Sequence, residues 1–186
     1  APAVFLPLIE EHPLEIEVGE WVIDTALRQM EEWHRAGLNM PVSVNISAYQ
    51  LQQTDFMARL HQLLDDHPDV DHSCLELEIL ETSALEDMAH ISSVMEECDR
   101  TGVQFALDDF GTGYSSLTYL KRLPARHLKI DQSFVRGMLD DPEDLAIIEG
   151  VLGLAAAWLA NQISYRCYVV EEYPTADRLE VEREPL

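Results

Sequence analysis

Apolar side chains at Val18, Trp21, Val22, Ala26, Met30 and Trp33 recur at helical spacing and stop at Gly37, which predicts a first helix over 18–36. Trp21, Met30 and Trp33 are expected to form its core stripe. The segment 41–47, Pro-Val-Ser-Val-Asn-Ile-Ser, is short and β-branched and predicts a strand; Phe56, Leu60, Leu63 and Leu64 then predict a helix ending near Pro68. The order repeats. A strand is expected over 74–80, and Leu85, Met88, Ile91, Met95 and Cys98 mark a helix up to Gly102. A third pass gives a strand at 103–107, a short helix at 115–122 stopped before Pro124, and a strand at 127–130. Asp141 followed by Pro142 is the pattern of an N-cap and a first helical residue, opening an Ala- and Leu-rich helix to Ala160. The segment 163–170 alternates imperfectly and is a weaker strand candidate. Residues 171–186 carry Glu171, Glu172, Asp177, Glu180, Glu182 and Glu184 with little periodicity and are expected to stay loose or pack irregularly.

Strands alternating with helices at this rhythm predict an α/β fold with a parallel sheet, because parallel neighbours need crossover connections. Polar groups close four successive strands: Asn45, Glu78 with Glu81, Asp108 with Asp109, and Lys129 with Asp131. No glycine-rich turn follows the first strand, as an open nucleotide-binding sheet would require. Chemistry spread over many strand ends is what the rim of a TIM-type (β/α) barrel needs. Eight strands are required and only four are clear, so the barrel is expected to be incomplete. Residues 1–160 form its partial wall, and 161–186 form a divergent C-terminal segment.

The chain's 186 residues, 47% hydrophobic and 25% charged, suit one cored domain. The net charge of -23 changes the functional picture, since an acidic surface disfavours any bulk grip on polymeric nucleic acid. A small anionic substrate remains compatible where a divalent metal inverts the local field. Cys74, Cys98 and Cys167 show neither CxxC spacing nor an even count, which points away from zinc clusters and disulfides and toward a reducing compartment. No apolar run is long enough to insert in a membrane, so a cytoplasmic segment is expected. Because the chain opens at Ala1 rather than Met, it is expected to be a piece of a longer protein, one that could be membrane-tethered.

Glu78, Asp108 and Asp109, with the amide of Asn45, are a hard-oxygen set suited to Mg²⁺ or Mn²⁺. Such ions activate water and clamp phosphoryl oxygens at a phosphodiester. Lys129, on the next strand, could neutralise transition-state charge. The plainer alternative is that strand-end Asp and Asn cap the following helices and that Asp109–Gly113 is simply a turn. Two adjacent carboxylates after the apolar Phe105-Ala-Leu107 weigh against it, since they repel unless a cation holds them. Glu76 shares a strand face with Glu78 by the period of two, and the pattern alone does not choose between them. The seven histidines show no ligand spacing and are read as surface or core residues.

Six blocks resemble, in order, those of the EAL domains that hydrolyse the bacterial second messenger cyclic di-GMP. They are 5–11 (FLPLIEE), 19–22 (GEWV), 42–47 (VSVNIS), 76–81 (ELEILE), 108–116 (DDFGTGYSS) and 128–135 (LKIDQSFV). The resemblance spans Phe5 to about Ala157, and the 108–116 block is highly specific. It implies a metal-dependent phosphodiesterase yielding linear pGpG, with Asn45, Glu78, Asp108 and Asp109 as metal ligands and Lys129 as a catalytic lysine. It selects Glu78 over Glu76. It gives Glu81 the task of holding the loop of Phe110, Gly111, Thr112, Gly113, Tyr114 and Ser115, which in the family also contributes to dimer contacts.

Two family features are absent. The Glu-Ala-Leu strand with its metal-binding Glu should precede Phe5, and the later Ile-Ala-Glu-Gly-Val-Glu-Thr segment falls where this chain reads Ile163-Ser-Tyr-Arg-Cys167, placing Tyr165 at the expected catalytic Glu. Weak or absent hydrolysis is therefore expected, with a degenerate cyclic di-GMP receptor or a protein-interaction module as the alternatives. Uncovered strand edges in an incomplete barrel lead to the further expectation of a homodimer.

Overall fold

Pro13 can open a helix because its missing N–H would lack a partner there anyway, and the His12 ring accepts the Leu14 N–H at 3.1 Å as the cap. Helix α2 (Pro13–Arg35) accordingly starts five residues before the apolar periodicity becomes visible. It follows a short apolar helix, α1 (Pro2–Ile9), that the pattern did not predict. The buried stripe of α2 is Ile23, Leu27 and Met30. Trp21, expected in the core, is 63% exposed, and Trp33 is only half-buried. Two residues correspond to about 200° around a helix, so once Ile23 faces inward Trp21 must face away. The computed structural model describes residues 2–85, 87–112 and 122–159.

Four strands follow the predicted rhythm: β1 (Val42–Asn45), β2 (Leu75–Leu80), β3 (Gln104–Phe110) and β4 (His127–Ile130). All three pairings are parallel and the spatial order is β1-β2-β3-β4. A doubly wound sheet reverses its order at a switch point, whereas a barrel wall adds each strand beside the last. The observed order is that of a barrel wall. The connections contain α3 (Ala48–Leu51) and α4 (Phe56–Asp65) after β1, and α5 (Glu81–Ala84) and α6 (Met88–Thr101) after β2. Gly102, at φ 100°, ends α6 in the left-handed region.

After β4 come α7 (Gln132–Gly137), which the sequence did not disclose, and α8 (Pro142–Leu159). The predicted start of α8 is borne out, with the Glu143 N–H donating to Asp141 Oδ1 at 2.8 Å. Most of the helix predicted at 115–122, the strand candidate at 163–170 and the 161–186 segment lie outside the described residues.

Leu75, Leu77, Ile79, Phe105, Leu107 and Leu128 project from the sheet toward the helices and are buried in one core with Ile23, Leu27, Leu60, Ile91 and Met95. Each such side chain contributes about 1.5–3 kcal/mol of transfer free energy, so this face holds the strands in register. Strand β3 runs three residues further than expected, through both aspartates. Its pairing with β4 passes from Leu107↔Leu128 to Phe110↔Ile130, three steps against two, so one extra residue bulges out at Asp108–Asp109. Asp109 takes φ 52° at the bulge. The extra residue also returns Phe110 to the core side, where it is 3% exposed, although strict alternation from Leu107 would turn it away.

Candidate functional site

The opposite face of the sheet carries Ser43 and Asn45 on β1, Glu76 and Glu78 on β2, Gln104, Ala106 and Asp108 on β3, and His127 and Lys129 on β4. These positions alternate with the core residues just named. Register places Asn45 beside Glu78 and Leu80 beside Asp108. Asn45, Glu78, Asp108, Asp109 and Lys129 therefore stand toward the same C-terminal end of adjacent parallel strands. Asn45, on the edge strand, is exposed, while Glu78 is 6% exposed.

Lys129 Nζ donates to Glu78 Oε1, although β3 lies between their strands. Ala106, fully buried and the register partner of both Glu78 and His127, supplies the low spot over which the two side chains meet. A second cross-strand pair lies one layer deeper. His127 Nδ1 bonds Glu76 Oε2, and the other Glu76 oxygen accepts from Ser43 Oγ at 2.9 Å. Burial opposes ionisation of Glu76, but the hydrogen bond and charge of His127, the Ser43 hydroxyl and the charge of Lys129 outweigh it and hold the carboxyl below its usual range. Glu76 and Glu78 thus both face the site side at different depths, with Glu78 nearer the strand ends.

At the bulge the balance runs the other way. Burial, then the charges of Asp108 and Asp131, push the Asp109 carboxyl up, and its hydrogen bond to Asp131 acts in the same direction. Asp131 is held low, chiefly by the Ser133 hydroxyl, and caps α7 through the Ser133 N–H at 2.8 Å. Asp131 was recognised as a strand-end group but not as a member of the candidate set; nothing in the linear pattern shows that the bulge brings Asp109 to it.

Glu81 is 3% exposed, and its Oε2 accepts the Gly111 N–H at 2.9 Å. Its Oε1 has no hydrogen-bond partner among the described residues. Gly111 sits at φ 102°, where a Cβ would also meet Phe134 Cε2 at 3.1 Å, so this position requires glycine. Thr112 Oγ1 donates to the Asp109 carbonyl at 2.9 Å. Of the predicted loop residues, Phe110, Gly111 and Thr112 are described, and Gly113, Tyr114 and Ser115 lie outside the described residues.

The donors are carboxylates and an amide, the kind that suits a hard divalent cation, and the Asp109 carboxyl is raised first by burial and then by the neighbouring Asp108 and Asp131 charges, which a cation would offset. In number they fall short. Among the described residues no three carboxylate, imidazole or thiol groups stand close enough to hold an ion by themselves. The residues present fit part of a metal site.

Comparison with known proteins places this geometry. The family model described as "EAL domain" matches residues 1–161, and one described as "Domain of unknown function (DUF8061)" matches residues 146–186. The bifunctional diguanylate cyclase/cyclic di-GMP phosphodiesterase MucR of Pseudomonas aeruginosa is 40% identical over 154 residues, 82% of this chain and 22% of that protein. The cyclic di-GMP phosphodiesterase PdeR of Escherichia coli is 35% identical over 156 residues, 84% of this chain and 23% of its own length. The chain thus spans about a quarter of these relatives. A solved structure of the P. aeruginosa MucR phosphodiesterase in complex with c-di-GMP superposes with a TM-score of 0.79 at 39% identity, covering 85% of this chain and 64% of that one. With a sequentially ordered parallel sheet, an incomplete TIM-type barrel wall and a family match over most of its length, the chain belongs to the EAL domain family.

Proposed function

We propose that this chain is part of a cyclic di-GMP phosphodiesterase domain that opens the cyclic dinucleotide to linear pGpG, with activity impaired in the chain as it stands. The observation that carries this reading is the cross-strand arrangement at one sheet end: Asn45, Glu78, Asp108 and Asp109 as hard donors, with Lys129 reaching Glu78 across Ala106. Asn45, Glu78, Asp108 and Asp109 would supply part of the divalent-cation site, since among the described residues they do not make a complete ligand set. When bound, Mg²⁺ or Mn²⁺ supplies charge neutralisation and an acidified water. Lys129 places a positive charge where phosphoryl charge grows, and Glu81 fixes the bulged loop through Gly111 so that the aspartates keep their aim. Cyclic di-GMP is the proposed ligand because MucR and PdeR are named for it.

A second reading, a receptor that binds cyclic di-GMP without turning it over, is favoured by the shortfall of donors among the described residues and by Tyr165 falling, in sequence, where the family carries a Glu. A calorimetric titration with cyclic di-GMP, with and without Mn²⁺ and followed by chromatography for pGpG, separates the two. Binding with product supports the enzyme and binding alone the receptor, whereas absence of binding defeats both. The Asp108→Asn variant is expected to lose metal-dependent binding. A homodimer belongs to the same proposal, because β1 and β4 are each paired on one side only among the described residues. Light scattering that finds a stable monomer at micromolar concentration would remove that part.

A further inference from the structure

Two carboxylates on β2, Glu76 and Glu78, face two nitrogen groups on β4, His127 and Lys129, in two parallel rungs across β3. The pairing is not the only one available. Lys129 is the next residue after His127 on the same face of β4, its charge acts on the Glu76 carboxyl, and the Glu76 side chain is 13% exposed, so solvent does little to screen it. What occupies Glu76 is His127 on one oxygen and Ser43 on the other. Take His127 away and a largely buried carboxylate keeps one hydroxyl partner among the described residues, with Lys129 as a cation already acting on it. Leaving such a group short of partners is costly, so the lysine would be drawn inward.

We propose that His127 is a positioning residue: by saturating Glu76 it leaves Lys129 committed to Glu78 at the strand ends, where the reaction of the preceding section needs its charge. This inference rests on that reading for its catalytic consequence, but the lysine's placement is observable without any turnover. His127 bonds to Glu76, which is not one of the proposed metal ligands. It acts through Glu76, and Ala106 makes both rungs possible because a larger side chain on β3 would separate β2 groups from β4 groups.

Lysine occurs twice in the chain, at positions 121 and 129, so protein labelled with ¹³C at lysine Cε shows two lysine signals, assigned through Lys121→Arg. At neutral pH, His127→Leu is expected to displace the Lys129 signal. His127→Gln, which keeps an N–H donor for Glu76, and the double variant Glu76→Gln with His127→Leu are both expected to return it to the wild-type position. A residue with a merely structural role would be harmed further by the second substitution, not rescued by it. If wild-type protein hydrolyses cyclic di-GMP, kcat is expected to fall roughly tenfold in His127→Leu with KM little changed, and to recover in the other two variants. An unmoved Lys129 signal in His127→Leu, or a double variant no closer to wild type than the single one, overturns the proposal. Should His127→Leu not fold, His127→Ala carries the same expectations with a smaller packing lesion. Wild-type protein that yields no pGpG defeats the phosphodiesterase reading and leaves the lysine signal to decide this one.

Discussion

On strand β2, Leu75, Leu77 and Ile79 point toward the helices and are fully buried, while Glu76 and Glu78 alternate with them on the other side. These five residues of one strand therefore serve two purposes with opposite chemistry. The outer face is apolar and redundant: many side chains share one core, and each adds a few kcal/mol to the same contact set. The inner face is mostly polar and specific, because Glu76, Glu78, His127 and Lys129 there each bond to one or two named partners. Stability resides chiefly outside and the proposed chemistry inside, with the pleat keeping the two apart.

The largest effect that breaks this division is expected from the outer face. Phe105→Ala, at a fully packed position, should cost about 3–5 kcal/mol and move the denaturant midpoint far down in a domain of ordinary stability. On the inner face, Lys129→Met leaves Glu78 largely buried with its charge uncompensated, at a cost of at most about 3 kcal/mol given the lysine's partial exposure. Replacing Glu78 by Leu as well should recover most of that stability while leaving the protein inactive, a separation urea melts and pGpG assays would register together. A double variant that stays as unstable as the single one would mean that the inner face is structural after all. Gly111→Ala is a smaller lesion, about 1–2 kcal/mol, since it forces a Cβ into a left-handed turn against Phe134. It should also weaken the Glu81 contact, seen as faster hydrogen exchange at the residue 111 amide.

The division was partly legible in the sequence. Strand positions could be read because short β-branched or apolar runs bounded by turns have few alternatives, and the parallel order followed from helices lying between them. Asn45, Glu78, Asp108 and Lys129 could be placed on one rim by counting along those strands. Trp21 misled because hydrophobicity says which residues prefer burial, not which of two apolar stripes on a helix wins; Ile23 and Leu27 won. Helix α1 was missed because its apolar run is continuous and contains Pro7, leaving no period to detect. The bulge leaves no trace in composition, so neither the extra length of β3 nor the Asp109–Asp131 contact could be foreseen. His127 and Glu76 are 51 residues apart, and their pairing depends on the register of three strands at once.

Asp109 offers the smallest expected effect and the most direct test of whether the inner face is shaped against stability. Its carboxyl is pushed up by burial and by Asp108 and Asp131, so the folded protein holds this proton more tightly than the unfolded chain does. A carboxyl raised in this way favours the fold below its unfolded pKa, about 3.9, and that contribution is lost as pH rises through the higher folded value. At neutral pH the ionised Asp109 is thus a liability, and Asp109→Asn should melt slightly higher than the parent in metal-free buffer. The gain should shrink as pH falls below the ordinary aspartate range, where both proteins carry a neutral side chain at this position. Added Mn²⁺ should reverse the order by stabilising the parent more than the variant, as expected for a carboxylate kept to hold a cation and not the fold. Asp109→Asn that is less stable than the parent across the whole pH range would instead make the bulged aspartate a structural residue.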